Sequence, residues 1–192
     1  MLVTPITKAA TDERAFDPGM LKAVLRPYKP HCQYLKHVTI ECDRSRAGAV
    51  VANGEFGIPE SCYIADTGHF NAVEFNICYN QLAYCLVAHS VEHGLIPALN
   101  RWNFDEFTRR QLSDCLIVQF TSSFRRPMKA ADFRGRIAIE KVAVRKDTIF
   151  LRTTCSFTDG EGQAEGGALL AIVGENARSQ PKTAAAQQAP AA

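Results

Sequence analysis

The feature that most constrains the fold is one long apolar helix, predicted over residues 70–93. Apolar side chains occur on almost every side of it, and Gly94 is well placed as its C-terminal cap. A helix of this kind needs cover around most of its circumference. It nevertheless carries amide and carboxylate side chains, which are costly to bury without partners. They are Asn71, Glu74, Asn76, Asn80 and Gln81.

The segments around this helix alternate between apolar and polar residues, which is the period of half-buried strands. Within 137–144 the alternation slips by one residue, as a β-bulge would produce. The sequence DGEG, residues 159–162, predicts a hairpin turn between the last two strands. Strands are predicted at about 38–43, 47–58, 116–124, 137–144, 151–157 and 164–173.

Two shorter helices complete the predicted elements, one at 18–28 begun by Asp17 and Pro18, the other at 104–112. A curved antiparallel sheet wrapped around the long helix is the economical way to cover it. We therefore predict an α+β fold, a single hot dog domain over 18–174. An irregular arm (1–17) precedes it, and a disordered tail rich in Ala, Gln and Pro (175–192) follows it.

Composition and charge exclude several classes of protein. A composition that is 46% hydrophobic and 22% charged is typical of a globular domain, and a net charge of +2 is too small for a dedicated nucleic-acid binder. No stretch is apolar enough to span a bilayer. The seven cysteines form no CxxC pair and no signal segment begins the chain, so we expect reduced thiols and a cytoplasmic location. We expect no cofactor.

The start of the long helix has two interpretations. Asn71 and Glu74 have the spacing of an N-cap and its N3 partner, with Gly68 allowing a tight turn before them. The unpaired N–H groups of the first turn would also suit the oxyanion of an acyl transfer. His69 is either a general base or a structural histidine, and Asp66 lies three residues before it.

Asn76, Asn80 and Tyr84 are spaced by four and therefore share one stripe of the helix. A polar stripe indicates a cavity or a subunit seam, although Tyr84 also suits a core position with its hydroxyl bonded. Gln81 remains without an assigned role.

Two other motifs are weak. HSVEH at 89–93 matches a zinc signature, but it lies where the helix dipole alone favours histidine, so no metal is expected. Ser61 lacks the G-x-S-x-G context of a serine hydrolase. The basic segment 124–136, FRRPMKAADFRGR, is either a solvated loop or a contact for phosphates or an acidic carrier protein.

The stretch SCYIADTGHFNAVEFNICYNQLAY, residues 61–84, resembles the signature of the FcoT-like thioesterases. RPY at 26–28 and SSFRRP at 122–127 also fit, and the resemblance spans about 18–173. It implies a single hot dog domain that lacks the catalytic Asp or Glu of many hot dog thioesterases. Two tyrosines and the asparagines that bind substrate and water would form the site instead. By motif these are Tyr28, Tyr63, Asn71 and Asn80.

The same resemblance implies a reaction. Members in isonitrile lipopeptide pathways add the amine of glycine to C3 of a (2E)-enoyl group on an acyl carrier protein, then hydrolyse the thioester to release a 3-(carboxymethylamino) fatty acid. His69 is the candidate base for the amine, and Arg125 or Arg126 for binding its carboxylate. The full set of substrate-binding candidates is Gly68, Phe70, Glu74, Asn76, Tyr84, Arg125 and Arg126.

Three alternatives stay open. One is plain hydrolysis of acyl-CoA or acyl-carrier thioesters. Another is a hot dog dehydratase or hydratase, for which His69 and Asp66 would be the acid–base pair. The third is a non-catalytic acyl-binding module. By analogy with other hot dog domains, a homo-oligomer is expected in each case.

Overall fold

One antiparallel sheet packs against the long helix α2 (Ala72–Glu92) in this computed structural model, which describes residues 12–43, 49–65 and 68–174. The predicted tail, most of the predicted arm, and Asp66 lie outside the described residues. The sheet order is β1-β2-β3-β5-β6-β7-β4. Its strands are β1 (Asp12–Ala15), β2 (Leu35–Cys42), β3 (Val50–Phe56), β4 (Cys115–Arg126), β5 (Phe133–Arg145), β6 (Thr148–Thr158) and β7 (Gln163–Val173). The predicted α+β hot dog arrangement is confirmed.

The two shorter helices are α1 (Pro18–Leu25) and α3 (Phe104–Asp114). Asp17 caps α1 as predicted, because its side chain accepts from the Met20 N–H at 2.8 Å. The predicted end at residue 28 was wrong. Pro27 has no backbone N–H with which to continue the helix, so α1 ends at Leu25 with Arg26 as its C-cap.

Two strand predictions need comment. The predicted bulge in β5 is confirmed by a register shift against β6 between Ile139 and Lys141. The predicted irregular arm was wrong at its end, because Asp12–Ala15 forms β1 and pairs with β2. Strand β1 therefore forms one edge of the sheet, next to β2.

The predicted alternation in β4 is only partly observed. A register shift against β7 between Ile117 and Gln119 interrupts it. Beyond this shift, the rings of Phe120 and Phe124 both contact Phe75 of α2, at centroid distances of 5.7 and 5.8 Å. Strand β4 therefore crosses over the first turn of the helix.

Aromatic packing fixes the start of α2 against the sheet. Phe70 and Phe75 are buried, and their rings lie 4.9 Å from those of Phe133 and Phe157 respectively. Gly135 of β5 makes room for this cluster, because a Cβ there would lie 2.5 Å from the Phe157 ring. The first turn of α2 is therefore held at a fixed distance from β5 and β6.

Gln81 explains one of the buried amides of α2. Its side-chain oxygen accepts from the N–H groups of Tyr34 and Leu35, both at 3.0 Å, and its nitrogen donates to the Cys32 carbonyl at 2.6 Å. Burying an amide is tolerable when its hydrogen-bonding groups are satisfied. Gln81 therefore joins α2 to the start of β2 and has a structural role.

The far end of α2 agrees with prediction. Gly94 has a left-handed φ of +62°, and Leu95 donates back to the Ser90 carbonyl at 3.0 Å.

All seven cysteines are free thiols. Within the described ranges, no helix has the length and hydropathy required to cross a membrane.

Candidate active site

Asn71 organises the start of α2. Its side-chain oxygen accepts from the N–H groups of Val73 and Glu74, at 2.9 and 3.4 Å, which confirms the predicted N-cap. Gly68 precedes it with a left-handed φ of +68°. Phe70 donates its N–H to the Met128 carbonyl at 3.1 Å, so the segment after β4 is fastened to the entry of the helix.

The amide nitrogen of Asn71 makes a further contact. It donates to the hydroxyl of Tyr63 at 3.1 Å. Tyr63 is 50% exposed, so its ring borders solvent. A phenol that accepts one hydrogen bond still has its own proton to donate. The Asn71–Tyr63 pair therefore places the O–H donor of Tyr63 close to the N-terminus of α2, at the protein surface.

The predicted oxyanion role of the helix N–H groups needs correction. The N–H groups of Val73 and Glu74 both donate to the Asn71 side chain, so they are not available to a substrate carbonyl in this conformation. The Tyr63 hydroxyl, whose oxygen accepts from Asn71, is another donor close to the start of the helix.

The predicted capping role of the Glu74 side chain was wrong. The residue is fully buried, and within the described residues neither carboxylate oxygen has a hydrogen-bond partner. Its neighbours show where the carboxylate points. Burial raises the pKa of the Cys78 thiol well above its usual value, and the charges of Glu74 and Cys62 add to the effect. Glu74 thus points into the domain instead of back to the cap.

The predicted polar stripe is present on α2. Asn76, Asn80 and Tyr84 are each half-buried, and the Asn80 amide donates to the Asn76 side-chain oxygen at 2.9 Å. Burial, with a smaller contribution from Cys115, raises the pKa of Tyr84 to about 12. The stripe therefore consists of neutral groups on a partly covered face.

Tyr28 lies beside this stripe. Burial raises the pKa of its hydroxyl, and Tyr84, Cys85 and Cys78 contribute further in the same direction. Cys78 also interacts with Glu74, so it is a neighbour of both Tyr28 and the buried carboxylate. The helix thereby links two groups of candidates: Tyr63 with Asn71 at its start, and Tyr28 with Tyr84 further along.

The cationic and histidine candidates lie at the periphery. His69 is exposed. Arg125 is 65% exposed and its guanidinium bonds to the Glu165 carboxylate of β7, with Nε at 2.7 Å. Arg126 is exposed and precedes by two residues the Met128 carbonyl that binds Phe70. Arg126 is therefore connected most directly to the entry of α2.

The weaker motifs form no recognisable site. His89 is buried and His93 exposed, with ring centroids 4.1 Å apart, and no group of three potential metal ligands occurs among the residues that the structure describes. Ser61 is buried, and its hydroxyl has no partner within the described ranges.

Sequence reasoning missed the neighbours of Glu74. They include Cys62, Tyr34 and Cys78. One local signal was available, since Cys78 follows Glu74 by four residues and so shares its helix face. The approach of Tyr34 and Cys62 depends on packing between distant segments and left no pattern in the sequence.

Comparison with known proteins finds one family and several relatives. The FcoT-like thioesterase domain model matches residues 23–172. A (2E)-enoyl-[ACP] glycyltransferase from Streptomyces coeruleorubidus is 42% identical over 163 residues, covering 82% of this chain and 97% of that protein. A protein of the same name from Mycobacterium marinum is 38% identical, covering 80% of this chain and 84% of that one. Among solved structures, a thioesterase family protein from Silicibacter pomeroyi aligns over 81% of this chain and 100% of that chain, at 18% identity and TM-score 0.42.

Proposed function

Because this chain belongs to the FcoT-like thioesterase family, we propose that it adds glycine to C3 of a (2E)-enoyl thioester on an acyl carrier protein and then hydrolyses the thioester. The product would be a 3-(carboxymethylamino) fatty acid, as in isonitrile lipopeptide biosynthesis. The observation that carries this proposal is the Asn71–Tyr63 hydrogen bond, which orients a phenol proton at a partly exposed position. The names of the two curated relatives support the choice of reaction.

The Tyr63 hydroxyl would donate to the thioester carbonyl oxygen. This withdraws electron density from the conjugated double bond and makes C3 electrophilic. The glycine nitrogen then attacks C3, the π electrons move to form a C1 enolate, and C2 takes up a proton. The same hydrogen bond would stabilise the developing negative charge on oxygen in this step.

Hydrolysis would use the same donor. Water attacks C1, the tetrahedral oxyanion is stabilised by Tyr63, and the carbon–sulfur bond breaks to release the carrier thiol. Asn80 is our candidate for holding the attacking water, with Asn76 fixing its amide. Tyr28 and Tyr84, which lie together further along α2, would border the acyl group.

Glycine also brings a carboxylate. Arg125 is already paired with Glu165, so Arg126 is the better candidate for its counterion. A guanidinium can bind a carboxylate with two parallel hydrogen bonds. The basic segment 124–136, which contains Arg126, would contact the acidic surface or the phosphopantetheine phosphate of a carrier protein. We also propose a cytoplasmic location, which is consistent with such a partner.

A homodimer would complete the surface of β4. This 12-residue strand ends the sheet, and it exposes Leu116, Val118 and Phe124 by 46, 56 and 42%. A long apolar edge strand is an aggregation hazard unless another chain covers it. A second copy paired antiparallel along β4 would cover it symmetrically.

The proposal can be tested by incubating the protein with a (2E)-enoyl-carrier protein, with and without glycine, and identifying the products by mass spectrometry. We expect a free acid carrying glycine at C3, with β-alanine a poorer donor as the control. Free enoic acid formed equally fast without glycine, and no adduct, would instead identify a plain thioesterase. A 3-hydroxyacyl group with the thioester intact would identify a hydratase, and no turnover a binding module.

A further inference from the structure

We propose that the buried carboxylate of Glu74 is the catalytic group that takes the proton from the glycine ammonium and returns it to C2 of the acyl chain. This inference rests on the proposed function and adds a residue to its machinery. It gives Glu74 a chemical role in place of the capping role predicted from its spacing.

The first observation is the isolation of the carboxylate. Glu74 is fully buried, and neither of its oxygens has a hydrogen-bond partner within the described ranges. Burying a carboxyl group without a partner is costly, and a bound cation with N–H donors would offset that cost. Elsewhere in α2 the buried amide of Gln81 has partners on both its oxygen and its nitrogen. The missing partner of Glu74 is therefore best supplied by a ligand with N–H donors.

The second observation is the position of Glu74 relative to the Tyr63 hydroxyl. Its own N–H donates to Asn71, whose amide binds the Tyr63 hydroxyl. Cys62, which directly precedes Tyr63, interacts with the same inner group of side chains as Glu74. C3 of an enoyl thioester is only two carbon–carbon bonds from the carbonyl carbon. A carbonyl bound by Tyr63 would therefore place C3 close to the first turn of α2, which carries Glu74.

The third observation is the charge of the surroundings. The titratable neighbours of Glu74 include Tyr34, Cys62 and Cys78. Tyrosine and cysteine side chains are neutral or anionic and never cationic. Burial raises the pKa values of Tyr34 and Cys78 and so favours their neutral forms. The ammonium of glycine is a small cation with three donors, and it would supply both the charge and the hydrogen bonds that this group lacks.

The proton balance closes without another reactant. The carboxylate takes one proton from the glycine ammonium, which leaves a neutral amine. The amine lone pair forms the N–C3 bond while the C2–C3 π pair shifts to the enolate. The Glu74 carboxyl then gives its proton to C2, which regenerates the carboxylate and leaves a secondary ammonium on C3. His69, the base predicted from the sequence, is exposed and lies outside the first turn of α2.

The test compares Glu74→Gln with Glu92→Gln, the same change at the exposed far end of α2. With enoyl-carrier protein and labelled glycine, we expect Glu74→Gln to lose adduct formation by about 100-fold or more. It should keep most of its hydrolysis of a saturated acyl-carrier thioester. Glu92→Gln should match the wild type in both assays.

A second variant covers a misfolding outcome. Glu74→Ala should be inactive in addition and regain activity with added formate, whose carboxylate fits the space left by the side chain. Wild-type addition by Glu74→Gln would overturn the inference, and so would equal loss of addition and hydrolysis or failure of formate rescue. If the wild type itself forms no glycine adduct, the proposed function fails, whatever the variants do.

Discussion

The side chain of Asn71 holds the start of α2 and the hydroxyl of Tyr63 at the same time. Its oxygen accepts from the Val73 N–H at 2.9 Å, and its nitrogen donates to the Tyr63 oxygen at 3.1 Å. Asn71 therefore caps the helix and also holds the Tyr63 hydroxyl, the hydrogen-bond donor that we propose for catalysis. The two roles can be separated because they use different atoms of one amide.

Asn71→Asp separates them. The introduced carboxylate keeps the capping oxygen and favours the helix dipole, so the free energy of unfolding should be unchanged or rise by about 0.3–1 kcal/mol. Its second oxygen would accept the Tyr63 proton and remove that donor from the substrate. We expect turnover to fall at least tenfold. Asn71→Ala should lose turnover and also about 1 kcal/mol of stability. Full activity in Asn71→Asp would show that the Tyr63 contact is not used.

Tyr63→Phe should lower thioester turnover by one or more orders of magnitude with little change in thermal stability, because the hydroxyl lies at a half-exposed position. Tyr79→Phe is the matched control. The Tyr79 hydroxyl lies 2.7 Å from the Thr153 hydroxyl inside the core, so its loss should cost about 0.5–1.5 kcal/mol of stability and leave turnover largely intact. Equal activity of the two variants would contradict the site assignment.

Asn80→Ala tests the polar stripe. The Asn80 amide donates to Asn76 at 2.9 Å and is half-buried, so its removal leaves the core intact. We expect at least a tenfold slower release of acyl groups, with an unchanged circular dichroism spectrum. Wild-type turnover would remove the stripe from the catalytic site.

Acid should destabilise the protein through His89. Burial, helped by the nearby charges of His93 and Arg14, lowers the pKa of His89 from 6.5 to about 4. Between these values the unfolded chain binds a proton that the native protein does not, so stability falls as the pH falls from 6.5 to 4. The slope is at most about 1.4 kcal/mol per pH unit for one group.

Urea unfolding at several pH values measures this effect. His89→Leu should have a flatter dependence of unfolding free energy on pH between 6.5 and 4 than the wild type. Parallel curves for the two proteins would assign the acid sensitivity to other groups.

Much of the fold could be predicted from the sequence because its signals are local. The apolar circumference of α2, the alternation of β5 with its phase slip, and the Asp17 and Asn71 caps each depend on neighbouring residues. Strand β1 was missed because its formation depends on pairing with β2, which is far along the chain.

The candidate site was harder for the same reason. The spacing of Asn71 and Glu74 predicts a capping box, but Phe70 and Phe75 pack the first turn so that Glu74 turns inward. The contact between Tyr63 and Asn71 joins a loop to a helix, and no periodicity encodes it. The role of Gln81 likewise appeared only when β2 was placed beside α2.

The most direct test of the account is an intact-mass time course of the carrier protein during one turnover with a (2E)-enoyl thioester and labelled glycine. We expect a carrier species that bears the acyl chain plus one glycine to appear first and then decay to free carrier thiol as the labelled amino acid product is released. Free carrier appearing with unlabelled enoic acid, and never a glycine-bearing intermediate or product, would contradict the account.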